Sequence, residues 1–208
     1  MKIKSVRLVY GVGINDADYA TQKFETVEVD GKRKQKRVWI CPYYRTWKDM
    51  LRRCYSTKFQ ERNPTYKGCS VSEEWLRFSN FKKWMECQDF EGKQLDKDLL
   101  FESNKIYSKE TCVFVTSVVN SFANDSGAAR GEWKIGVTWN KEKIKFQTDC
   151  SNPFTKKREY LGRFNCEQEA HRAWLKRKLE LAYELAAIQT DERVTKALIM
   201  RYTDYPQV

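Results

Sequence analysis

Residues 133–149 read WKIGVTWNKEKIKFQTD, and this stretch decides the fold of the C-terminal part of the chain. Apolar residues or threonine alternate with polar residues on both sides of a polar turn at 140–143: Ile135, Val137 and Trp139 before it, and Ile144, Phe146 and Thr148 after it. Alternation with a period of two residues is typical of strands with one buried face. The stretch therefore predicts two adjacent strands joined by a short turn.

The residues that follow complete a small domain. A third strand is predicted in KKREYLGRF (156–164), after a loop that holds Pro153. A long helix is predicted over CEQEAHRAWLKRKLELAYELAAI (166–188), with Asn165 as its N-cap. The packing stripe expected on this helix consists of Ala170, Ala173, Trp174, Leu175, Leu179 and Ala182. We therefore predict a domain at 133–188, made of a three-stranded antiparallel sheet and a helix, followed by a C-terminal tail at 189–208 with further helical signal.

The polar, glycine-containing segment NDSGAARGE (124–132) is the predicted linker between this domain and the preceding one. The preceding domain is predicted at 41–123. Apolar residues at helical spacing predict helices at 43–54 and 72–85, and strand, loop, strand and short helix are predicted over 95–122. The apolar set of the second helix is expected in the core, and it consists of Trp75, Phe78, Phe81 and Trp84. The chain as a whole is predicted to be an α+β protein.

The first 40 residues are predicted to form an N-terminal β-hairpin arm. Two stretches, KSVRLVYGVG (4–13) and FETVEV (24–29), are rich in strand-forming residues, and Asp30-Gly31 is a hairpin-turn signal before a strongly basic run at 32–37. Two interpretations of the basic strand stay open. It is either a solvated edge strand protected by charge, or an arm that contacts phosphates.

The net charge favours a polyanionic partner. The chain has 39 Lys and Arg against 28 Asp and Glu, which gives +11, and basic proteins attract nucleic-acid phosphates or anionic membrane surfaces. No apolar run reaches the ~18 residues of a membrane span, and the N-terminus lacks the apolar core of a signal peptide. We therefore expect a cytosolic setting without membrane insertion.

The seven cysteines are odd in number, widely spaced and without a CxxC pair. This spacing argues against a disulfide framework. A structural zinc site would need four cysteines gathered from distant places, so buried free thiols are the favoured interpretation. The only histidine, His171, is expected on a helix surface rather than as a metal ligand.

Acidic residues and amides concentrate between residues 95 and 122. Asp96 and Asp98 flank Lys97 on a predicted strand, so the two carboxylates are expected to point one way and the lysine the other. Hard cations such as Mg²⁺ prefer oxygen ligands of this kind. Taken alone, an Asp-Lys-Asp run is more often a solvated strand end than a metal site.

The same region resembles phage HNH, or His-Me finger, endonucleases. The resemblance spans about residues 40–122, and its core rests on LDKD at 95–98, NKIYS at 104–108, ETC at 110–112, FV at 114–115 and Asn120. Upstream, YYRTWKDMLRRCY (43–55), NPTYKGCSV (63–71) and EEWLRFSNFKKW (73–84) are similar to the helical entry region of that family. The resemblance implies a small ββα-metal unit.

The resemblance also implies roles for single residues. Asp96 and Asn120 would hold one divalent metal, Mg²⁺ or Mn²⁺, and Asn104 would support the loop or orient the general base. Lys97 stands where the family has its catalytic histidine, and an unperturbed lysine, with a pKa of about 10.4, is almost fully protonated at neutral pH. Three interpretations of Lys97 stay open: an unusual base, a contact to phosphate, or a relic in a protein that only binds. Tyr107 is an alternative base.

Residues 133–187 resemble an AP2 domain, on the strength of GVTWN at 136–140, YLGRF at 160–164 and EQEAHRAW at 167–174. AP2 domains lay a three-stranded sheet into the major groove of DNA. The residues that this resemblance places near DNA are Thr138, Trp139, Lys141, Lys143, Lys145, Gln147, Lys156 and Arg158. For Trp139, a place in the core is an equal alternative. Between residues 130 and 178 there are 13 Lys and Arg against 6 Asp and Glu, so this quarter of the chain carries most of the net charge.

Two functions are compatible with these features. The first is a phage-type, metal-dependent DNA endonuclease or nickase in the cytoplasm of a host bacterium, with double-stranded DNA as its substrate. The second is a catalytically inactive DNA-binding protein on the same scaffold, acting as a regulator or inhibitor of a host nucleic-acid machine and with a host or phage protein as a further partner. RNA binding is a third interpretation, but no ribonucleoprotein motif supports it.

Overall fold

The computed structural model describes residues 8–124 and 132–203, which form helices and small, mostly antiparallel sheets. The α+β class is therefore confirmed. The chain divides into two compact units, a first unit up to Phe114 and a second unit from Val115 onward. This division falls upstream of the predicted linker at 124–132, of which residues 125–131 lie outside the described residues. None of the described helices is long and apolar enough to cross a membrane.

The N-terminal hairpin is present as predicted. Strands β1 (Gln22–Val29) and β2 (Lys32–Ile40) pair antiparallel. Asp30 and Gly31 both have positive φ angles, 52° and 69°, as a two-residue hairpin turn of the type I′ class requires. The strand predicted at 4–13 is not formed in its described part, residues 8–13. There the chain makes a tight turn in which the backbone N–H of Val9 donates to the carbonyl of Gly13 at 2.8 Å.

Three helices follow in the first unit: α1 (Pro42–Tyr55), α2 (Thr57–Arg62) and α3 (Phe78–Glu86), with 3₁₀ turns at Pro64–Tyr66 and Glu73–Leu76. The first predicted helix is confirmed. The continuous helix predicted at 72–85 is wrong, because the chain breaks it at Arg77. Ile14 bonds the backbone on both sides of the break, donating to Leu76 at 2.8 Å and accepting from Phe78 at 3.0 Å. A partner distant in sequence thus overrides the local helical pattern.

The core of the first unit is aromatic. Trp47 and Trp75 are fully buried, and Trp47 Nε1 donates to the Trp75 carbonyl at 2.7 Å, which satisfies a donor that burial would otherwise leave unpaired. Phe78 and Phe81 pack against these two rings. The predicted core set is confirmed, with Trp84 only partly buried at its edge.

Two pairs of short strands follow the helices. Strand β3 (Ser70–Val71) pairs parallel with β5 (Ile106–Tyr107), and β4 (Gln94–Asp96) pairs with β6 (Val113–Val115). The loop between β4 and β5 holds the residues that the sequence singles out for chemistry.

The second unit contains the predicted three-stranded antiparallel sheet, in the order β7-β8-β9. Its elements are α4 (Ser117–Ala123), β7 (Val137–Asn140), β8 (Lys145–Ser151), β9 (Arg158–Phe164), α5 (Glu167–Ala186) and α6 (Glu192–Thr203). The predicted cap of α5 is displaced by one residue, since Cys166 occupies the N-cap position and Asn165 instead accepts a hydrogen bond from Lys145 Nζ.

Helix α5 packs along the sheet, with a buried stripe slightly rotated from the predicted one. Ala170, Trp174 and Ala182 are buried as predicted, whereas Ala173, Leu175 and Leu179 are half-buried. The stripe also contains two polar residues, His171 and Lys178. The surface position expected for His171 is therefore wrong. Its Nδ1 lies 2.9 Å from the carbonyl of Ile135, and its ring stacks near Trp174 with centroids 5.9 Å apart.

Candidate functional site

The loop after β4 is organised by the Asp96 carboxylate. Its Oδ1 accepts the backbone N–H groups of Asp98 at 2.8 Å and Leu99 at 2.7 Å. These bonds turn the chain sharply, so strand β4 ends at Asp96. The strand predicted to run through Asp98, with the two acids on one side, is therefore wrong.

Burial raises the pKa of the Asp96 carboxyl above its ordinary value. The backbone N–H groups of Leu99 and Asp98 act in the opposite direction because they favour the carboxylate, but they do not outweigh burial. The Asp96 carboxyl group thus holds a turn in a partly desolvated place.

Lys97 is held inside the same loop, with only 5% of its surface exposed. Its Nζ donates to Asp98 Oδ1 at 2.5 Å and to the Asn104 carbonyl at 2.8 Å. The Asn104 side chain makes hydrogen bonds in the opposite direction: its Nδ2 donates to the carbonyls of Lys97 at 2.8 Å and Ile106 at 2.7 Å. Lys97 and Asn104 thus form a reciprocal clasp that closes the loop, and we name it the Lys97–Asn104 clasp.

Tyr107, the alternative base, lies beside this clasp, with its ring centroid 5.9 Å from Lys97 Nζ. Burial raises the pKa of its hydroxyl, and the hydrogen bond and charge of Arg53 only partly oppose that shift. Because a general base must take up a proton near neutral pH, a phenol that ionises less readily than usual is poorly suited to the role.

The predicted metal ligands fall in different units. Asp96 belongs to the first unit, whereas Asn120 lies on α4 in the second. Within residues 8–124 and 132–203, no group of three His, Cys, Asp or Glu side chains is arranged to hold a metal ion. One oxygen of Asp96 is already engaged by two backbone amides. Asp96 alone is not a donor set for Mg²⁺ or Mn²⁺, and the metal site shared with Asn120 that the resemblance implies stays a prediction.

The second candidate site is the face of the β7-β8-β9 sheet that lies opposite α5. Thr138 pairs with Gln147, and Gln147 pairs with Arg163, so these residues form a row across all three strands. Because side chains alternate along a strand, the neighbours of this row on the same side follow from the register. We define the open face by these residues: Thr138, Asn140, Lys145, Gln147, Asp149, Arg158, Tyr160 and Arg163.

Gln147 stands at the centre of a polar network on the open face. Its Oε1 accepts from Asn140 Nδ2 at 3.1 Å and from Arg163 Nε at 3.4 Å, and its Nε2 donates to Asp149 Oδ2 at 3.4 Å. The Arg163 guanidinium also lies 5.7 Å from the ring centroid of Tyr160. The network orients amide and guanidinium groups that keep hydrogen-bonding capacity toward solvent.

Cations lie at both ends of the open face. Lys141 and Lys143 are exposed in the β7–β8 turn, and Arg158 begins β9 at the opposite end, where it pairs with Ser151. The length of β8 separates these ends by about 20 Å. Lys156 lies in the β8–β9 loop, where it lines a cavity of about 280 Å³.

Trp139 does not join the open face. It pairs with Phe146 and packs against that ring with centroids 4.8 Å apart, and Trp133 extends the cluster at 6.3 Å. Trp139 lies on the same face of the sheet as Val137, the face that packs against α5, although 36% of its surface is exposed. Of the residues predicted near DNA, the open face thus unites Thr138, Lys145, Gln147 and Arg158. Sequence reasoning missed Tyr160 and Arg163, which only the register of β9 against β8 reveals.

An ion pair helps to hold the sheet against α5. Arg177 Nε donates to Glu159 Oε2 at 2.7 Å, and Asn152 Nδ2 donates to Glu159 Oε1 at 2.7 Å. The hydrogen bonds of Arg177 and Asn152 hold the pKa of Glu159 below its ordinary value. This contact joins the inner side of β9 to the helix and leaves the open face uncovered by α5.

Comparison of the chain with models of known protein families, with curated proteins and with solved structures gives no match.

Proposed function

We propose that this protein binds double-stranded DNA through the open face of its three-stranded sheet and does not cleave it. The single observation that carries the proposal is the row of Thr138, Gln147 and Arg163 across the three strands. Glutamine and arginine are the side chains that pair bidentately with adenine and guanine edges in the major groove.

The dimensions of the open face are compatible with this mode of binding. Three strands span about 10 Å from the first to the third, and the major groove of B-form DNA is about 12 Å wide. The cations at the two ends of the face would attract the phosphates of the same stretch of DNA. Phosphate contacts of this kind fix the orientation of a protein, and the central row would then contact the base edges.

The Lys97–Asn104 clasp supports binding without cleavage. Lys97 Nζ is buried and already donates to Asp98 and to the Asn104 carbonyl. A general base has to reach the attacking water and accept its proton, and Lys97 in this arrangement does neither. The segment that resembles an endonuclease would then serve as a framework in this chain. The cytoplasm of a host bacterium as its setting stays a prediction.

The proposal is tested by fluorescence anisotropy with a labelled duplex and the double variant Lys141→Gln/Arg163→Gln. We expect a loss of about tenfold in duplex affinity at 0.1 M salt, because ~1.4 kcal/mol of lost contacts corresponds to a factor of ten. The matched control is Arg172→Gln/Lys176→Gln, which removes the same charge from exposed positions of α5.

Equal losses in the two double variants would mean that only net charge matters, and would contradict binding through the open face. Competition with double-stranded and single-stranded RNA separates the remaining possibility. Stronger competition by either RNA than by unlabelled duplex DNA would replace the proposal with RNA binding.

A further inference from the structure

A second basic site lies in the first unit, in a cleft of about 300 Å³ between the hairpin strand β2 and helix α1. We call it the arm cleft. Its lining residues are Tyr10, Arg37, Ile40, Arg45, Lys48, Asp49 and Arg52. Since a water molecule takes up about 30 Å³, the cleft has room for a tetrahedral anion with part of its hydration shell.

The cleft carries an excess of positive charge. Four of its seven lining residues are cationic and one is acidic. The Asp49 carboxylate pairs with Arg52, at 3.2 Å between Oδ1 and the guanidinium. Among the described residues, the side chains of Arg45 and Lys48 have neither an ion pair nor a hydrogen-bond partner. Most of the positive charge in the cleft is therefore not neutralised by the protein.

Neighbouring side chains hold Arg52 in place. Its guanidinium is fixed on one side by Asp49 and lies 4.9 Å from the ring centroid of Phe59. In this fixed plane the Nε atom is shielded from solvent and has no hydrogen-bond partner within the part of the chain that the structure describes. Arg52 is thus a cation of the cleft lining whose position is set by Asp49 and Phe59.

We propose that the arm cleft binds one phosphate of a nucleic-acid backbone. Guanidinium and ammonium groups that converge on a small polar cavity suit a phosphodiester. Only Ile40 and Tyr10 offer apolar surface, which is too little for an acyl chain or a stacked base. From the cleft toward the hairpin turn, β2 continues with Lys36, Lys34, Arg33 and Lys32. Of the two interpretations of the basic arm, the phosphate-contacting one is thus favoured.

This inference rests on the proposed function, because it adds a backbone contact outside the open face. The test is the salt dependence of duplex binding by Arg45→Gln/Lys48→Gln. Binding is measured by anisotropy at about six salt concentrations, from about 0.05 to about 0.3 M. We expect a loss of about tenfold in affinity at 0.1 M salt, and a fall of about 1 in the slope of log K against log salt, since one phosphate contact contributes about 0.9.

The chain offers a matched control on the neighbouring helix. Lys58 and Arg62 lie exposed on α2, so Lys58→Gln/Arg62→Gln removes the same two charges in the same unit without touching the cleft. The exchange variant Arg45→Lys/Lys48→Arg keeps the charge and should retain the wild-type slope. Circular dichroism of each variant checks that the fold is intact.

The outcomes separate this inference from the proposed function. If the cleft variant and the α2 control have the same slope while Lys141→Gln/Arg163→Gln loses affinity, the arm cleft is overturned and the open face stands. If only the cleft variant loses affinity, the arm cleft stands and the open face falls. If the wild-type protein binds no duplex, or prefers vesicles of anionic lipid to DNA, both are overturned.

Discussion

At the scale of single residues, Gly136 shows how closely the sheet approaches α5. Its φ angle is +79°, and a Cβ atom built on it would lie 2.2 Å from the Trp174 ring. The carbonyl of Gly136 also accepts the Thr148 hydroxyl at 2.6 Å. Both the backbone conformation and the lack of a side chain are therefore required at this position.

We predict that Gly136→Ala destabilises the second unit strongly. Gly68 has a similar φ angle, +76°, but a Cβ atom there would meet nothing within 4 Å, so Gly68→Ala measures the cost of the backbone conformation alone. The collision with Trp174 should add about 1–3 kcal/mol to the loss in unfolding free energy. Denaturant unfolding checks this, and equal losses in the two variants would contradict the close approach.

The buried cysteines give a second prediction at this scale. Burial raises the pKa of the thiols of Cys54 and Cys112 to about 12, whereas Cys87 is exposed. Because the thiolate is the reactive form, iodoacetamide at pH 8 should label Cys87 in the folded protein and reach Cys54 and Cys112 only after unfolding. Peptide mass spectrometry of labelled samples checks this. Labelling of Cys54 at the rate of Cys87 would show that the first unit opens readily.

At the scale of elements, the ion pair between β9 and α5 should make stability depend on pH. The pKa of Glu159 is held below its ordinary value of 4.5 by Arg177 and Asn152. A carboxyl with a depressed pKa stabilises the fold fully above its unfolded pKa, and the contribution disappears as the pH falls through the folded pKa. The contact is therefore expected to count at neutral pH and to vanish in acid.

We predict that Glu159→Gln lowers the unfolding free energy at pH 7, and that the difference from the wild-type protein shrinks as the pH falls below about 4.5. Glu142 is exposed in the β7–β8 turn, and Glu142→Gln serves as a control with the same change of charge. The measurement is denaturant unfolding at about five pH values from about 3 to about 7. A difference that stays constant with pH would rule out the ion pair as its cause.

Elements were predictable where local pattern and tertiary contacts agree. The alternation around Phe146 and Thr148 gave strands, and the Asp30-Gly31 pair gave a hairpin. The pattern misled where a distant partner intervenes, as Ile14 does at Arg77, or where a side chain bonds its own backbone, as Asp96 does. Such contacts form only in the folded chain, and the spacing of apolar residues in the sequence does not predict them.

At the scale of the whole molecule, the sequence identified the basic C-terminal unit but not the open face that we propose as its binding surface. The open face depends on which residues of β9 lie beside those of β8, and a register shift between Thr148 and Asp149 changes that pairing. The arm cleft likewise depends on the approach of β2 to α1. Both surfaces are made by pairings between segments that are separate in sequence, so composition alone predicted only an anionic partner and not where it would bind.

The central claim, binding of duplex DNA without cleavage, is tested most directly by one experiment. Supercoiled plasmid is incubated with the protein in the presence of Mg²⁺, Mn²⁺ or a chelator, and the DNA is analysed by gel electrophoresis before and after removal of protein. We predict retarded migration before removal and intact supercoiled plasmid afterwards, under all three conditions. Metal-dependent nicking that is lost in Asp96→Ala and Lys97→Ala, or the absence of any retardation, would contradict the account.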